Sequence, residues 1–233
     1  MAAGDGRPFV LLSVAMSVDG YIDDTAAERL LLSNEADFDR VDELRAWSDA
    51  ILVGAETVRR DNPRLLVKAE TRRRARLAEG RPAYPRKVTV TAAGNLDPDA
   101  RFWHHGTADH PPLVYTTDTG ARRLAERFGA PAEIVALGPE LEFGALLDDL
   151  GARGIGRLMV EGGGRIHTAF LSAGLADELH LAIGPTLVGD PQAPRFLHPA
   201  PFPGGSTHRM RLLGTTQLGD VAVLRYRPRE SDA

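Results

Sequence analysis

With 233 residues and no cysteine, the chain is long enough to bury a large core unaided, and disulfides, thiolate catalysis and cysteine-ligated zinc are excluded. Its 43% hydrophobic and 26% charged residues are ordinary for a globular protein, and a formal net charge of −4 argues against a nucleic-acid binder. Met1 to Pro8 lacks the cationic start and apolar core of a signal peptide, and no apolar run approaches the ~18 residues of a membrane span, so a cytoplasmic protein is expected.

Phe9 to Met16 is a near-continuous apolar run, the mark of a strand covered on both faces, and it breaks at the polar turn Ser17-Val18-Asp19-Gly20-Tyr21. Ser33 or Asn34 caps a helix reaching about Ser48, whose apolar positions Phe38, Val41, Leu44 and Trp47 predict one buried face. Ala50 to Gly54 is a second buried strand and runs straight into a helix start at Ala55, with Thr57 placed to offer its hydroxyl and N–H to an anion. Asn62-Pro63 ends that helix, and Leu65-Leu66-Val67 reads as a short strand.

From Lys68 to Lys87, eight basic residues stand against two acids. The stretch 68–86 reads as a basic surface excursion, with phosphate holding and nucleic-acid binding as alternatives. Tyr84 is its only aromatic residue, which disfavours stacking of single strands. Strands follow at Lys87–Thr91, Leu113–Thr117 and Glu133–Leu137, with helices at Ala121–Phe128 and Phe143–Leu150. Leu179–Ile183 is a further strand. Met210–Thr216 and Val221–Tyr226 form a terminal hairpin through Gly219-Asp220.

Between these lies the stretch that organises the rest, Leu158-Met159-Val160-Glu161-Gly162-Gly163-Gly164-Arg165-Ile166-His167. An apolar strand ends in an acid and three glycines, and an amphipathic helix starts at once. Glycines let a backbone approach a ligand closely, and the helix start behind them offers unpaired N–H groups that suit a phosphate. The spacing matches neither the Rossmann fingerprint nor a P-loop, so ligand loop and tight packing turn both stand. The histidines show no metal-ligand spacing, and no metal site is expected. His167 either touches a cofactor or packs, and His180 is a strand-face residue.

Strands alternating with helices predict an α/β fold with a mostly parallel central sheet flanked by helices on both faces and a C-terminal antiparallel hairpin. No linker divides the chain, so a single domain spanning 1–233 is expected, with its core at about 9–227.

Taken together, Ser17-Val18-Asp19-Gly20, Gly54-x-x-Thr57-x-x-x-Asp61-Asn62-Pro63-x-Leu65, Val160-Glu161-Gly162-Gly163 and Gly174-Leu175-x-Asp177-Glu178-Leu179 resemble the riboflavin-biosynthesis reductase family. This is the reductase domain of the bifunctional pyrimidine deaminase-reductase, with a dihydrofolate-reductase-like fold, and the resemblance runs from about Phe9 to Tyr226. It implies reduction of the ribosyl group of a ribosylaminopyrimidinone 5′-phosphate to ribityl, with NADPH as hydride donor, in a homodimer. The zinc deaminase needs P-C-x-x-C, which a chain without cysteine cannot supply, so a stand-alone reductase is expected. By position, the resemblance puts Ala15, Thr57, Asp61, Gly162, Gly163, Gly164, Arg165 and Ile166 on the cofactor. It puts Arg45, Leu65, Lys68 and Glu161 on the substrate. Glu161 and Asp19 are the acids at strand ends, and so the catalytic candidates, although Asp19 is equally suited to shaping its own turn.

The chain departs from the family pattern in three places. Tyr21 follows Asp19-Gly20 where many relatives have Lys or Arg, which removes a cation near the substrate. Lys68 stands where arginine is common, and Ala92 where a hydroxyl would meet the cofactor 2′-phosphate. Other readings are a dihydrofolate or pterin reductase of the same fold, a diverged reductase of specialised metabolism, a nucleotide-binding protein without turnover, and RNA binding through the basic run.

Overall fold

The computed structural model describes residues 6–26 and 28–228. They form an α/β fold with nine strands, mostly parallel, seven α-helices and an antiparallel C-terminal hairpin. The chain resolves into two compact units, one of Met1–Pro8 and Asp42–Met159, the other of Phe9–Val41 and Val160–Ala233, counting described residues only. Helix α1 (Glu35–Trp47) and strand β6 (Arg157–Gly162) each contribute residues to both units.

The first unit contains β2 (Ala50–Gly54), α2 (Ala55–Asp61), α3 (Glu70–Ala78), β3 (Arg86–Thr91), α4 (Arg101–His104), β4 (Leu113–Thr116), α5 (Asp118–Arg127), β5 (Glu133–Ala136) and α6 (Phe143–Ala152). Its strands pair in the order β5-β4-β3-β2, all parallel, with Leu52 opposite Val88 and Val88 opposite Leu113. Every residue of β2 is buried, as a continuous apolar strand covered on both faces requires. Phe102, Trp103, Leu124 and Leu146 fill the space beside these strands, and the Phe102 and Trp103 rings meet edge to face with centroids 4.6 Å apart.

The second unit contains β1 (Phe9–Ser17), α7 (Gly164–Ser172), β7 (Glu178–Gly184), β8 (Arg211–Leu218) and β9 (Val221–Arg227). Its strand order is β1-β7-β9-β8. β1 and β7 run parallel with Leu12 opposite Leu179, and β9 is antiparallel to both β7 and β8. Ala182, Val221 and Val223 form a small core cluster against which Ala15 and Leu218 pack. The hairpin turns at Gly219, whose φ of 62° suits glycine.

Two expectations are corrected. The apolar face expected on α1 is not what it buries: Phe38 is 45% exposed, while Asp37 and Asp42 are buried. Asn34 caps the helix by accepting the Asp37 N–H at 3.0 Å, and the Asp37 carboxylate holds Arg40 at 2.8 Å. Leu65-Leu66-Val67 is not a strand, because Leu65 takes a left-handed φ of 48° that breaks extended geometry. The basic stretch folds as α3 and a following turn and is exposed or half-buried at most positions, but several of its cations face the protein. Within it, Arg76 donates to the Ala46, Ser48 and Pro82 carbonyls and Arg81 to those of Ala46, Trp47 and Ser48, closing the carboxyl end of α1. Lys87 is 1% exposed, with its Nζ donating to the Phe102 carbonyl at 2.7 Å and to that of His105.

Candidate functional site

In the first unit the site residues converge on the passage from β2 to α3. Gly54 opens α2 with no side-chain cap, Thr57 lies one turn in, and Asp61 closes the helix. The C-cap Asn62 is left-handed with φ 42°; its Oδ1 accepts the Arg101 N–H at 2.6 Å and its carbonyl accepts Arg101 Nε at 3.1 Å. Three residues on, Leu65 is left-handed as well and only 5% exposed. A buried γ-branched residue in this region is strained and persists only where its surroundings impose it.

Those surroundings are visible. Asp42, 5% exposed on α1, accepts the Lys68 N–H at 2.5 Å, the Ala69 N–H at 3.1 Å and Arg72 Nη1 at 3.0 Å. Arg45, one turn further along α1, donates to the Leu66 carbonyl at 3.3 Å. Arg73 Nη1 donates to the Val67 carbonyl at 2.9 Å and the Lys68 carbonyl at 2.5 Å. One buried carboxylate and two arginines thus satisfy the main-chain groups of the segment, which leaves it little freedom to relax. Arg45, Leu65 and Lys68 are thereby brought together, with Lys68 exposed. The residue that organises them, Asp42, was missed in the sequence, because a lone acid on a helix reads as a solvated face.

Elsewhere in this unit the turn after β3 is tied down by hydroxyls. Thr116 donates to the Thr91 carbonyl at 2.6 Å, and Thr117 donates to the Ala92 carbonyl at 2.8 Å while capping α5. A groove of about 660 Å³ lies between Ala93–Leu96 on one side and Arg123 and Arg127 of α5 with the following Phe128 on the other, and none of the expected site residues lines it.

In the second unit, Ser17 at the end of β1 accepts the Tyr21 N–H at 3.0 Å and donates to Asp19 at 2.5 Å. The Asp19 carboxylate also accepts the Val188 N–H at 3.1 Å and the Gly189 N–H at 2.8 Å. The Ser17 bond and these main-chain donors hold its carboxyl below the usual carboxylate range, so Asp19 stays ionised and clamps two turns together. Its hydrogen bonds run to those turns rather than to the glycine stretch.

Glu161 and Gly162 end β6, and Gly163, with φ 94° and ψ 123°, turns the chain into α7 with no side-chain cap. A Cβ at Gly164 would collide with the Arg195 carbonyl oxygen and lie 3.2 Å from His198 Nε2, so glycine is demanded by the segment packed against it. Thr168 Oγ1 donates to the Gly164 carbonyl at 2.6 Å and accepts the His198 N–H at 2.9 Å, pinning that segment to the helix. Arg165 is exposed and Ile166 half-buried. Ala15 packs against the core cluster described above. His167 is fully buried beside Phe196, ring centroids 5.5 Å apart, with neither ring nitrogen hydrogen-bonded, and burial pushes it down to about 4. It packs as a neutral ring. His180 Nε2 donates to the Glu178 carboxylate at 2.8 Å within a cluster that includes Arg40 and Arg225.

Among the described residues no group of His, Asp and Glu is arranged to hold a metal ion, and no helix is long and apolar enough to cross a membrane. The first turn of α7 suits the pyrophosphate of a dinucleotide. The helix has no side-chain cap, its Ile166 and His167 N–H groups donate to the Gly163 carbonyl, and the 195–198 segment covers Gly164 on its Cβ side.

The sequence matches the model of the RibD C-terminal domain family over residues 8–224. It is 36% identical over 189 residues to the 2,5-diamino-6-ribosylamino-4(3H)-pyrimidinone 5′-phosphate reductase of Archaeoglobus fulgidus, covering 81% of this chain and 85% of that protein. The enzyme of the same name from Methanothermobacter thermautotrophicus is 38% identical over 186 residues, covering 78% and 80%. The fold is similar to that of a pyrimidine reductase-like protein from Corynebacterium diphtheriae, with a TM-score of 0.78 at 24% identity, covering 94% and 91% of the two chains.

Proposed function

Because the chain belongs to the RibD C-terminal domain family, we propose that it is an NADPH-dependent oxidoreductase of riboflavin biosynthesis. It converts the ribosyl group of a ribosylaminopyrimidinone 5′-phosphate to ribityl. The observation that carries the reading to particular residues is the strained segment after α2, whose Lys68 and Ala69 N–H groups donate to Asp42 and whose Leu66 carbonyl accepts Arg45 from α1. Two cations so fixed suit the doubly charged phosphate of the substrate, and a rigid segment loses little entropy on binding it. The buried Leu65 supports the same segment from its apolar side.

The uncapped first turn of α7 takes the cofactor pyrophosphate, with Gly162, Gly163, Gly164, Arg165 and Ile166 as its frame and Thr57 and Asp61 as further cofactor residues. When bound, NADPH supplies the hydride that reduces the open-chain imine (or aldehyde) form of the ribosylamine. Glu161, next to the glycines, hydrogen-bonds the substrate polyol or ring and orients it. Asp19 is held ionised by the Ser17 hydroxyl and the Val188 and Gly189 N–H groups, so it keeps the Ser17–Tyr21 turn in place rather than giving up a proton. The reading extends to a cytoplasmic homodimer formed through β7 and the hairpin. It includes no nucleic-acid partner, since Arg72, Arg73, Arg76 and Arg81 of the basic run are turned onto the protein's own groups.

Steady-state kinetics of Arg45→Ala and Lys68→Ala test the phosphate assignment. Each substitution raises KM for the phosphorylated substrate by about tenfold or more and leaves the dephosphorylated compound nearly unaffected. An unchanged KM in both variants contradicts the role given to these cations.

A further inference from the structure

The family pattern expects a cation directly after Asp19-Gly20, and this chain has Tyr21 there. The Tyr21 ring is 3% exposed, and the Arg195 guanidinium lies over it, 4.3 Å from carbon to ring centroid. Arg195 Nη2 also donates to the Tyr21 hydroxyl at 2.6 Å. The planar group is thus held by its face and by one edge, an arrangement open to arginine but not to lysine.

The main chain is fixed as firmly. Tyr21 and Arg195 form an antiparallel bridge, flanked by Ile22 N–H donating to the Pro194 carbonyl at 2.9 Å and Phe196 N–H donating to the Gly20 carbonyl at 3.0 Å. The Arg195 carbonyl is the group that presses on Gly164 at the start of α7. One residue therefore touches both the Ser17–Tyr21 turn and the glycine turn that follows Glu161.

Arg195 also differs from the arginines that hold the fold together. Arg7, Arg40, Arg153, Arg157 and Arg225 end on carboxylates, and Arg76 and Arg81 on main-chain carbonyls. Among the described residues Arg195 has only the hydroxyl and ring of Tyr21, is exposed, and has no carboxylate within 4.0 Å. Its remaining N–H donors and its charge are left for something else.

We propose that Arg195, seated on Tyr21, is a substrate-binding cation of this protein. Its guanidinium edge donates to an acceptor oxygen of the pyrimidinone or of its sugar chain. This rests on the reductase reading above and adds to it a specificity residue supplied by the 194–196 segment.

The test is a charge relocation read by steady-state kinetics with the ribosylaminopyrimidinone phosphate and NADPH. Arg195→Ala raises KM for the pyrimidinone by about ten- to a hundredfold and leaves KM for NADPH within about twofold. Adding Tyr21→Lys to Arg195→Ala restores most of the lost affinity, which a merely structural role of Arg195 does not allow. Where the alanine variant does not fold, Arg195→Gln keeps the stem and a donor for Tyr21 and is read in the same way. Wild-type turnover with an unchanged pyrimidinone KM in the variant, an equal rise in the NADPH KM, or no recovery in the double variant overturns the assignment of Arg195. Wild-type protein that does not turn the substrate over overturns the reductase reading instead, and this assignment with it.

Discussion

The Leu65–Lys68 segment of the first unit and the Gly162–Gly164 turn of the second are both rigid, but they are made rigid by opposite means. Leu65 is held in a left-handed conformation that costs energy, because Asp42, Arg45 and Arg73 occupy the main-chain groups beside it. The glycine turn adopts its positive φ without steric cost and is held by the Arg195 carbonyl filling the space where a side chain would be. One segment depends on charged neighbours and the other on an absent side chain. Substitutions should therefore damage them in different ways, the first through affinity for an anion and the second through packing.

The sharpest break in that contrast is Gly164→Ala. Its Cβ meets backbone rather than the end of a flexible side chain, so the 195–198 segment must move. A loss of about 3 kcal/mol is expected from denaturant titration, together with loss of NADPH binding. A variant of wild-type stability would show that the packing at Gly164 is looser than described.

Asp42→Ala probes the other segment. Two main-chain N–H groups and Arg72 lose a buried acceptor, for a cost of about 2–3 kcal/mol. KM for the phosphorylated substrate rises while KM for NADPH holds. Equal rises in both constants would contradict the division of labour between the two segments.

A smaller effect comes from Lys87, a buried group that belongs to neither segment. Burial pushes its ammonium down from 10.5 to about 7. Between about 7 and 10.5 the unfolded chain binds the proton that the folded one has lost, so stability rises with pH across that window and owes nothing to this group's titration below it. The slope is at most about 1.4 kcal/mol per pH unit, and Lys87→Met should remove it from the denaturant midpoint measured against pH. A midpoint whose pH dependence is the same in wild type and Lys87→Met over this range would mean that Lys87 stays charged.

How much of this was legible in the sequence follows from which forces act locally. β2 and the strand before Glu161 were legible because continuous apolar runs report burial directly, and the hairpin because Gly219 marks its turn. The glycine turn was legible as a strand-to-helix passage, though only the packed 195–198 segment explains why Gly164 admits no side chain. The Leu65 segment was not, since its conformation is imposed by Asp42 from 26 residues away for the Lys68 contact. The inward turn of Arg76 was not legible for the same reason, because it reaches the Ser48 carbonyl across 28 residues. A salt bridge or a carbonyl contact between distant residues leaves no periodicity to read. Tyr21 was visible as a departure from the family pattern, but nothing in the sequence pointed to Arg195 as its partner.

The measurement that bears most directly on the function is NADPH oxidation, followed by the loss of its near-ultraviolet absorbance. The purified protein is given the ribosylaminopyrimidinone 5′-phosphate in one cuvette and dihydrofolate in another. Absorbance that falls with the pyrimidinone phosphate and holds steady with dihydrofolate is the expected result. Oxidation with dihydrofolate alone would contradict the assignment and move the activity to pterin reduction.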